Sequence, residues 1–181
     1  MLYMFLADGF EETEAIAPYD MIKRAGISIA TVGIGSGSIT GTKGITLKTD
    51  LTENEIDLSL CEGVILPGGM PGTENLYESE TVRNCVDFCA ENGLLIAAIC
   101  AAPSVLGRMG LLKNKTAVCY PGFEDKLEGA IGCSKGAVCD GNIITAKGAG
   151  CVFPFSYEII KYLASGSAAQ KVLDQVQYEN I

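Results

Sequence analysis

The sequence predicts a single α/β domain over residues 1–181, with a mostly parallel central sheet covered by helices on both faces. The 181 residues, 48% of them hydrophobic, are enough to bury a full core but few for two domains. Predicted strands and helices alternate along the chain, and the strands are short, wholly apolar runs. Apolar strands separated by helices are typical of a parallel sheet buried on both faces.

The first part of the chain predicts a βαβ unit followed by a hairpin. An apolar run over residues 1–7 predicts the first strand, and apolar residues at helical spacing over 13–25 predict a helix that ends at Gly26. Residues 28–33 predict the second strand. The Gly-, Ser- and Thr-rich stretch 36–47 contains alternating apolar residues, which indicates a small hairpin and a candidate partner surface.

The second part continues the alternation of strands and helices. Asp140-Gly141 supplies the turn of a late hairpin. The predicted order is strand, helix, strand, hairpin, helix and helix, over residues 63–66, 79–92, 94–99, 134–146, 151–163 and 168–176.

Three segments follow directly after predicted strands: residues 8–11, the Pro-Gly-Gly turn 67–69, and Cys100. In open parallel sheets, ligands bind beyond the carboxyl ends of the strands. We therefore expect these three segments to face one crevice.

The composition restricts the class of protein. A net charge of -9 and a pI near 4.5 argue against nucleic acid or an anionic membrane as a partner, because both require a basic surface. The apolar N-terminal run lacks the basic residues of a signal peptide, and no apolar stretch is long enough to span a membrane. Eight cysteines in a chain able to build its own core favour a reducing, cytoplasmic location.

The spacing of the cysteines other than Cys100 indicates packing roles and not metal binding. The chain has neither histidine nor a CxxC pair, so we expect no metal site. Cys85 and Cys89 are one helical turn apart, a spacing that places both thiols on one helix face.

Cys100 is the candidate nucleophile. It ends an apolar strand, with Ala98 and Ala102 two residues away on either side, and such small residues permit a tight strand-to-helix bend that exposes the thiol. The amino end of the following helix is expected to favour a thiolate over a thiol. Because the chain has no histidine, Cys-His and Ser-His-Asp mechanisms are excluded within it.

Two other features are candidates for assisting Cys100. Gly68-Gly69 forms an ordinary tight turn if taken alone, but near a nucleophile the N–H groups of Gly69 and Ala101 can form an oxyanion hole. Glu14 lies one turn into the first helix, on the side expected to face the crevice. An ionised Glu14 would oppose a thiolate, so a functional Glu14 must hold a proton and share it with Cys100.

Glu11 and Glu12 begin the same helix. Acidic residues are common at helix starts, where they meet the positive end of the helix dipole. We expect both of these side chains to face solvent.

Several segments together resemble the DJ-1/ThiJ/PfpI family, and most closely its DJ-1 and ThiJ branch. The resemblance covers nearly the whole chain and implies a flavodoxin-like three-layer sandwich, usually a homodimer, with Cys100 as the reactive cysteine and Glu14 as its protonated partner. It is carried by residues 8–14, 20–26, 66–69, 97–103 and 146–150.

Two positions depart from the family pattern. The protease-like branch has a histidine directly after the nucleophile, where this chain has Ala101, so peptidase and amidotransferase activities are not expected. Many DJ-1 members have a histidine in a loop that matches Tyr120, beside Pro121. Gly68, Tyr120 and Pro121 are candidate pocket residues, and Tyr120 supplies a hydroxyl but no proton switch near neutral pH.

The sequence leaves two functions open. The first is a glyoxalase III- or deglycase-like enzyme without cofactors that acts on small 2-oxoaldehydes such as methylglyoxal, or on their protein adducts. The second is an oxidative-stress sensor or chaperone that works through oxidation of Cys100 to a sulfinic acid. The less specific alternative is that Cys100 is a buried thiol in a binding domain.

Overall fold

The computed structural model describes residues 1–179. The strands are β1 (Leu2–Leu6), β2 (Ile29–Gly33), β3 (Ser38–Thr40), β4 (Thr46–Lys48), β5 (Leu51–Thr52), β6 (Gly63–Leu66), β7 (Leu95–Ile99), β8 (Thr116–Ala117), β9 (Ile131–Gly132), β10 (Ala137–Asp140) and β11 (Ile143–Ala146). The helices are α1 (Glu12–Arg24), α2 (Gly72–Glu78), α3 (Glu80–Glu91), α4 (Pro103–Arg108), α5 (Val152–Leu163) and α6 (Gly166–Gln175).

A seven-stranded sheet forms the centre of the molecule, in the order β10-β11-β7-β6-β1-β2-β5. All neighbouring pairs in this sheet are parallel except β10 and β11, which form the antiparallel hairpin predicted around Asp140 and Gly141. The predicted α/β class and the flavodoxin-like arrangement of a mostly parallel sheet between helices are confirmed.

Both faces of the sheet are buried, as the unbroken apolar runs predict. Side chains alternate across a strand, so Met4 and Leu6 pack with residues of α1, α5 and α6, whereas Tyr3 and Phe5 pack with residues of α3 and α4. Burying one such side chain stabilises the fold by about 1.5–3 kcal/mol. The two resulting cores fix the central strands and therefore the loops at their carboxyl ends.

The second predicted hairpin, over residues 36–47, is also present. β3 and β4 pair antiparallel in a small separate sheet. A third short sheet pairs β8 with β9.

The structure adds a helix that the sequence analysis did not predict. Helix α2 follows the Met70-Pro71 pair, in the stretch between the Pro-Gly-Gly turn 67–69 and the helix predicted over 79–92. Ser79 ends α2 with extended backbone and its side chain accepts a hydrogen bond from Val82 N, so it also begins α3. Within residues 1–179, no helix is long and apolar enough to cross a membrane.

Candidate active site

Cys100 lies at the carboxyl end of β7 in a left-handed conformation, with φ of 66°. This conformation is unfavourable for a residue with a side chain, by about 1–2 kcal/mol. Hydrogen bonds hold the backbone there on both sides: Cys100 N donates to Ala146 O at 2.9 Å, and Tyr120 N donates to Cys100 O at 2.8 Å. The bend leaves the thiol half-buried rather than sealed in the core.

The Gly68-Gly69 turn packs directly against this bend. A Cβ atom added at Gly68 would lie 2.6 Å from Cys100 Cβ and 2.7 Å from Glu14 Oε2. Gly69 has φ of 92°, and a Cβ there would lie 2.5 Å from Glu11 N. Only glycine therefore permits the turn to approach both the β1–α1 loop and Cys100, and the three segments predicted to share one crevice do meet.

Two backbone N–H groups lie close enough to Cys100 to affect its ionisation. They belong to Gly69 and Ala101, the pair expected to form an oxyanion hole, and both act to lower the pKa of the thiol. The structure thus brings together the donors that sequence reasoning selected, while their role in catalysis stays a prediction.

The Glu14 carboxyl group pairs with Cys100. Glu14 is almost completely buried, with 1% of its surface exposed. Gly68 N donates to Glu14 Oε2 at 3.0 Å, and Ala149 N–H also bonds the carboxyl group. The remaining hydrogen-bond partner is the Cys100 thiol. Glu14 therefore joins three loops and faces the sulfur.

Burial shifts the pKa of both members of this pair upward. Burial raises the pKa of Glu14 to about 7, against opposing hydrogen bonds from Cys100, Gly68 and Ala149. Burial, followed by the charge of Glu14, raises the pKa of the Cys100 thiol to about 12. Between these two values the pair holds a single proton, as expected for coupled neighbours.

The expectation that the bend favours a resting thiolate is wrong. The pKa of Cys100 is raised rather than lowered, so the resting proton lies on sulfur once Glu14 has ionised. The helix contributes little because α4 begins only at Pro103, which lacks an N–H, and spans six residues. Burial raises the pKa of the Cys100 thiol by more than the N–H groups of Gly69 and Ala101 lower it.

The expectation that Glu11 and Glu12 face solvent is also wrong, most clearly for Glu12. Glu12 is 4% exposed and lies beneath the β3–β4 hairpin, where Lys43 N donates to its Oε1 at 2.6 Å and the Thr42 hydroxyl to its Oε2 at 3.1 Å. Burial raises the pKa of Glu12, but these donors together hold it below its ordinary value. Glu11 is half-buried and caps α1 through a bond from Glu14 N.

Tyr120 lies beside the site. Pro121 lines a cavity with Cys119 and Glu124 that includes neither Cys100 nor Glu14, so its place in the candidate pocket stays a prediction. Tyr120 is 51% exposed, and its ring approaches Gly148 so closely that a Cβ there would lie 3.3 Å from Tyr120 Cδ2. The same Cβ would lie 3.8 Å from Glu14 Oε1. The ring thus borders the entrance to the pair of Glu14 and Cys100.

Sequence reasoning missed the contribution of the loop after β11. Gly148 and Ala149 line the Glu14 side of the site, and Ala149 provides one of its hydrogen bonds. The signal was present in the glycine-rich run 146–150, which follows a strand as the other site segments do. Within the described part of the chain, no group of three or more His, Cys, Asp or Glu side chains is placed to hold a metal ion.

Comparison with known proteins gives a consistent result over nearly the whole chain. A sequence model of the DJ-1/PfpI family matches residues 1–162. The chain is 33% identical over 172 residues to Protein dj-1beta of Drosophila melanogaster. This match covers 93% of this chain and 92% of the fly protein. It is 30% identical over 166 residues to Deglycase PfpI of Pyrococcus furiosus, covering 90% of this chain and 99% of the archaeal protein.

A solved structure agrees with these sequence matches. The structure of oxidized Toxoplasma gondii DJ-1 superposes with a TM-score of 0.94 at 28% identity, and the match covers 99% of this chain and 98% of the other.

Proposed function

The chain belongs to the DJ-1/PfpI family, and from that premise we propose that it is a cysteine-dependent enzyme acting on small 2-oxoaldehydes or their adducts on proteins. Relatives of this chain, including the Pyrococcus furiosus protein, are named deglycases, which supports activity of this kind at the level of the family. The substrate would be a small carbonyl compound or a glycated protein.

One observation carries the proposal: a buried carboxyl group with a pKa of about 7 faces a half-buried thiol. A general base works best when its pKa is close to the operating pH. Glu14 therefore combines two requirements of a proton shuttle, reach and pKa, without a histidine.

The first step is addition of the thiol to the aldehyde carbon. The Cys100 sulfur forms a C–S bond as its proton passes to the Glu14 carboxylate, and the carbonyl electron pair moves onto oxygen. The N–H groups of Gly69 and Ala101, which act to lower the pKa of the Cys100 thiol, would stabilise this oxyanion. Return of the proton from Glu14 to oxygen gives a hemithioacetal.

The second step moves hydrogen between the two carbons of the former dicarbonyl. Glu14, again ionised, removes the proton from the first carbon and leaves an enediolate. The hydroxyl proton then passes from the first oxygen to the second, and Glu14 returns the carbon proton to the second carbon. The product is a 2-hydroxy thioester. Water then adds to the thioester, the C–S bond breaks, and a hydroxy acid leaves Cys100 free, so that one water is consumed and no external oxidant or reductant is needed.

Incubation with methylglyoxal tests this proposal. The purified protein should convert methylglyoxal to lactate, whereas Cys100→Ser should produce none above the uncatalysed rate. If the folded wild-type protein turns over neither methylglyoxal nor a methylglyoxal-treated peptide, the enzymatic proposal is wrong.

A second candidate function is sensing of oxidants through Cys100. Its support is the same arrangement of donors, since Glu14 and the N–H groups of Gly69 and Ala101 can bind the oxygens of a sulfinic acid. The oxidized form of the Toxoplasma gondii relative was solved as a structure in its own right. Selective addition of two oxygens to Cys100 under mild peroxide, measured by intact mass, is the expected result, and random oxidation of several cysteines contradicts it.

We also propose that the chain is a cytoplasmic homodimer. All eight cysteines are free thiols, which suits a reducing compartment.

Exposed apolar side chains support the dimer. Ile16 on α1 is 43% exposed and Ile45 at the β3–β4 hairpin is 49% exposed. Ile16 borders a cavity of about 260 Å³ lined with further apolar residues. Molar mass by light scattering should give a dimer, with Ile16→Glu shifting it toward monomer.

A further inference from the structure

A cluster of buried thiols lies at the opposite end of the sheet from Cys100. Cys61 precedes β6 at its amino end, and Cys85 and Cys89 lie on the buried face of α3, as their spacing predicts. All three belong to one apolar core, with exposed fractions of 6%, 2% and 0%. Nothing in the proposed mechanism uses them.

Within this cluster, Cys61 and Cys89 are in direct contact, with their sulfur atoms 3.6 Å apart. A disulfide needs a separation of about 2.05 Å, so side-chain rotation has to close only about 1.5 Å. We propose that Cys61 and Cys89 form a second redox site, a dithiol that converts reversibly to an intramolecular disulfide when the protein meets a hydroperoxide.

Helix geometry selects Cys61, rather than Cys85, as the partner of Cys89. Residues four apart on a helix have Cβ atoms about 5–6 Å from one another, whereas a disulfide requires about 3.5–4.5 Å. A Cys85–Cys89 bond would therefore distort α3. Cys61 approaches Cys89 from a different segment and needs no change in the helix.

Exposure and ionisation assign the order of the steps. The contact between the two thiols acts to lower the pKa of Cys61, against burial, which favours Cys61 as the thiolate. The same contact, together with burial, raises the pKa of Cys89 far above its ordinary value. Cys61 is also the only one of the two with any exposed surface. Cys61 is the thiol that meets the oxidant, and Cys89 needs no access to it.

The chemistry balances with hydroperoxide as the oxidant. The Cys61 sulfur attacks the O–O bond of hydrogen peroxide and becomes a sulfenic acid, and the other oxygen leaves as water. The Cys89 sulfur then attacks the Cys61 sulfur, the S–O bond breaks, and a second water leaves. Two thiols lose two electrons and two hydrogens, and one peroxide becomes two waters. Reduction by an added dithiol reverses the change through thiol–disulfide exchange.

Peptide mapping after limited oxidation tests this site. Reduced protein is treated with one equivalent of hydrogen peroxide, its free thiols are alkylated under denaturing conditions, and it is digested with a glutamate-specific protease. This digestion separates Cys61 in residues 56–62 from Cys85 and Cys89 in 81–91, and from Cys100 in 92–124. The expected result is a linked pair of peptides 56–62 and 81–91, lighter by two hydrogens than their sum and lost on treatment with dithiothreitol.

Matched variants locate the bond. Cys61→Ser and Cys89→Ser should each abolish the linked peptide, and Cys85→Ser, on the same helix face, should retain it. Fragmentation of the linked peptide from wild-type protein locates the bridge without any variant, so a variant that does not fold leaves the test intact. Cys61 and Cys89 both fully alkylated after peroxide treatment, or a bridge to Cys85, would overturn the proposal.

The Cys100→Ser background keeps this inference separate from the proposed function. The linked peptide should form there to the same extent as in wild type, because Cys61 and Cys89 need nothing from Cys100. A wild-type protein without turnover but with the linked peptide would contradict the enzymatic proposal alone. Loss of the bond in folded Cys100→Ser would overturn the independence of the second site.

Discussion

Cys100 and Cys61 occupy opposite ends of the same sheet, and the pKa values of their thiols are shifted in opposite directions. Burial acts to raise the pKa of both thiols, yet the pKa of Cys100 is raised to about 12 and that of Cys61 is lowered. The difference lies in the neighbour. Cys100 faces a carboxyl group that repels a thiolate when ionised, whereas the Cys61 sulfur lies 3.6 Å from the thiol of Cys89, and this contact acts to lower the pKa of Cys61.

Burial acts in the same direction on both thiols, so the partner of each thiol distinguishes the chemistry available to it. A carboxyl group with a pKa of about 7 can take and return a proton, so Cys100 suits repeated turnover. A second thiol can only be oxidised with the first, so Cys61 suits a reversible two-electron change.

Cys100→Ser should produce the largest effect. Loss of the nucleophile should lower methylglyoxal turnover by about 10³-fold or more, because a serine hydroxyl beside Glu14 is far less nucleophilic than the thiol. Lactate formation measures the effect. Cys61→Ser is the matched control at the other end of the sheet and should stay within about 2-fold of wild type, and a comparable loss in Cys61→Ser would break the division of roles.

Glu14→Gln should lower kcat/KM by about 10²–10³-fold, because the amide keeps the hydrogen bonds but cannot accept the thiol proton. In wild type, activity should rise with pH through about 7 as Glu14 ionises. The pH-rate profile of the variant should lack this rise. An unchanged profile would show that another group carries the proton.

The stability of the protein should depend on pH through the same carboxyl group. Its pKa is about 7 in the folded protein against 4.5 for an ordinary glutamate, so the folded state holds this proton more tightly. That contribution is complete below pH 4.5 and is lost as pH rises toward 7, an effect on the order of 3 kcal/mol.

Glu14→Gln removes this dependence. Relative to wild type, its free energy of unfolding in urea should therefore improve by about 2–3 kcal/mol between pH 5 and pH 8. Glu11, which also acts to raise the pKa of Glu14, is unchanged in this comparison. Parallel pH dependence in the two proteins would contradict the assignment of the raised pKa to Glu14.

Gly68→Ala should disturb the site around Cys100 and leave the pair of Cys61 and Cys89 unchanged. The added methyl group meets Cys100 Cβ and Glu14 Oε2 below 3 Å, so we expect a loss of about 1–3 kcal/mol of stability together with reduced turnover. Gly132→Ala, where a Cβ meets nothing within 4 Å, is the control and should change neither quantity appreciably. The bond between Cys61 and Cys89 should still form in Gly68→Ala, which mass mapping can check.

Tyr120→Phe should have the smallest effect. The ring borders the site but its hydroxyl belongs to no step of the mechanism, so kcat/KM for methylglyoxal should remain within about 3-fold of wild type. A loss as large as that in Glu14→Gln would assign the hydroxyl a direct part in proton transfer.

Much of the fold and site was predictable because local patterns carry it. The apolar runs of β1, β6 and β7 identify buried strands, and a thiol between small residues at a strand end identifies the bend at Cys100. Helix α2 was missed because its Pro- and Gly-rich start is typical of a turn. It forms in the protein with Leu76 buried in the core and Glu74 paired with Arg108 of α4.

The charged residues were predicted less well than the apolar ones. Glu12 has the same local setting as Glu11, yet the β3–β4 hairpin covers Glu12 and supplies its hydrogen bonds from residues about thirty positions away. Helix periodicity cannot show which segment will cover a helix face. The direction of the Cys100 pKa was mispredicted for a related reason, since the local helix effect is small beside burial by distant loops.

Composition and periodicity are local properties of the chain, and they were enough to predict the main strands and helices, the position of Cys100 at a strand end, and the exclusion of histidine from any mechanism. The three-dimensional fold was needed to show that Glu12 is covered, where the proton shared by Glu14 and Cys100 rests, and that Cys61 meets Cys89. Desolvation and Coulomb interactions depend on distances in space, and folding brings together residues that lie far apart along the chain.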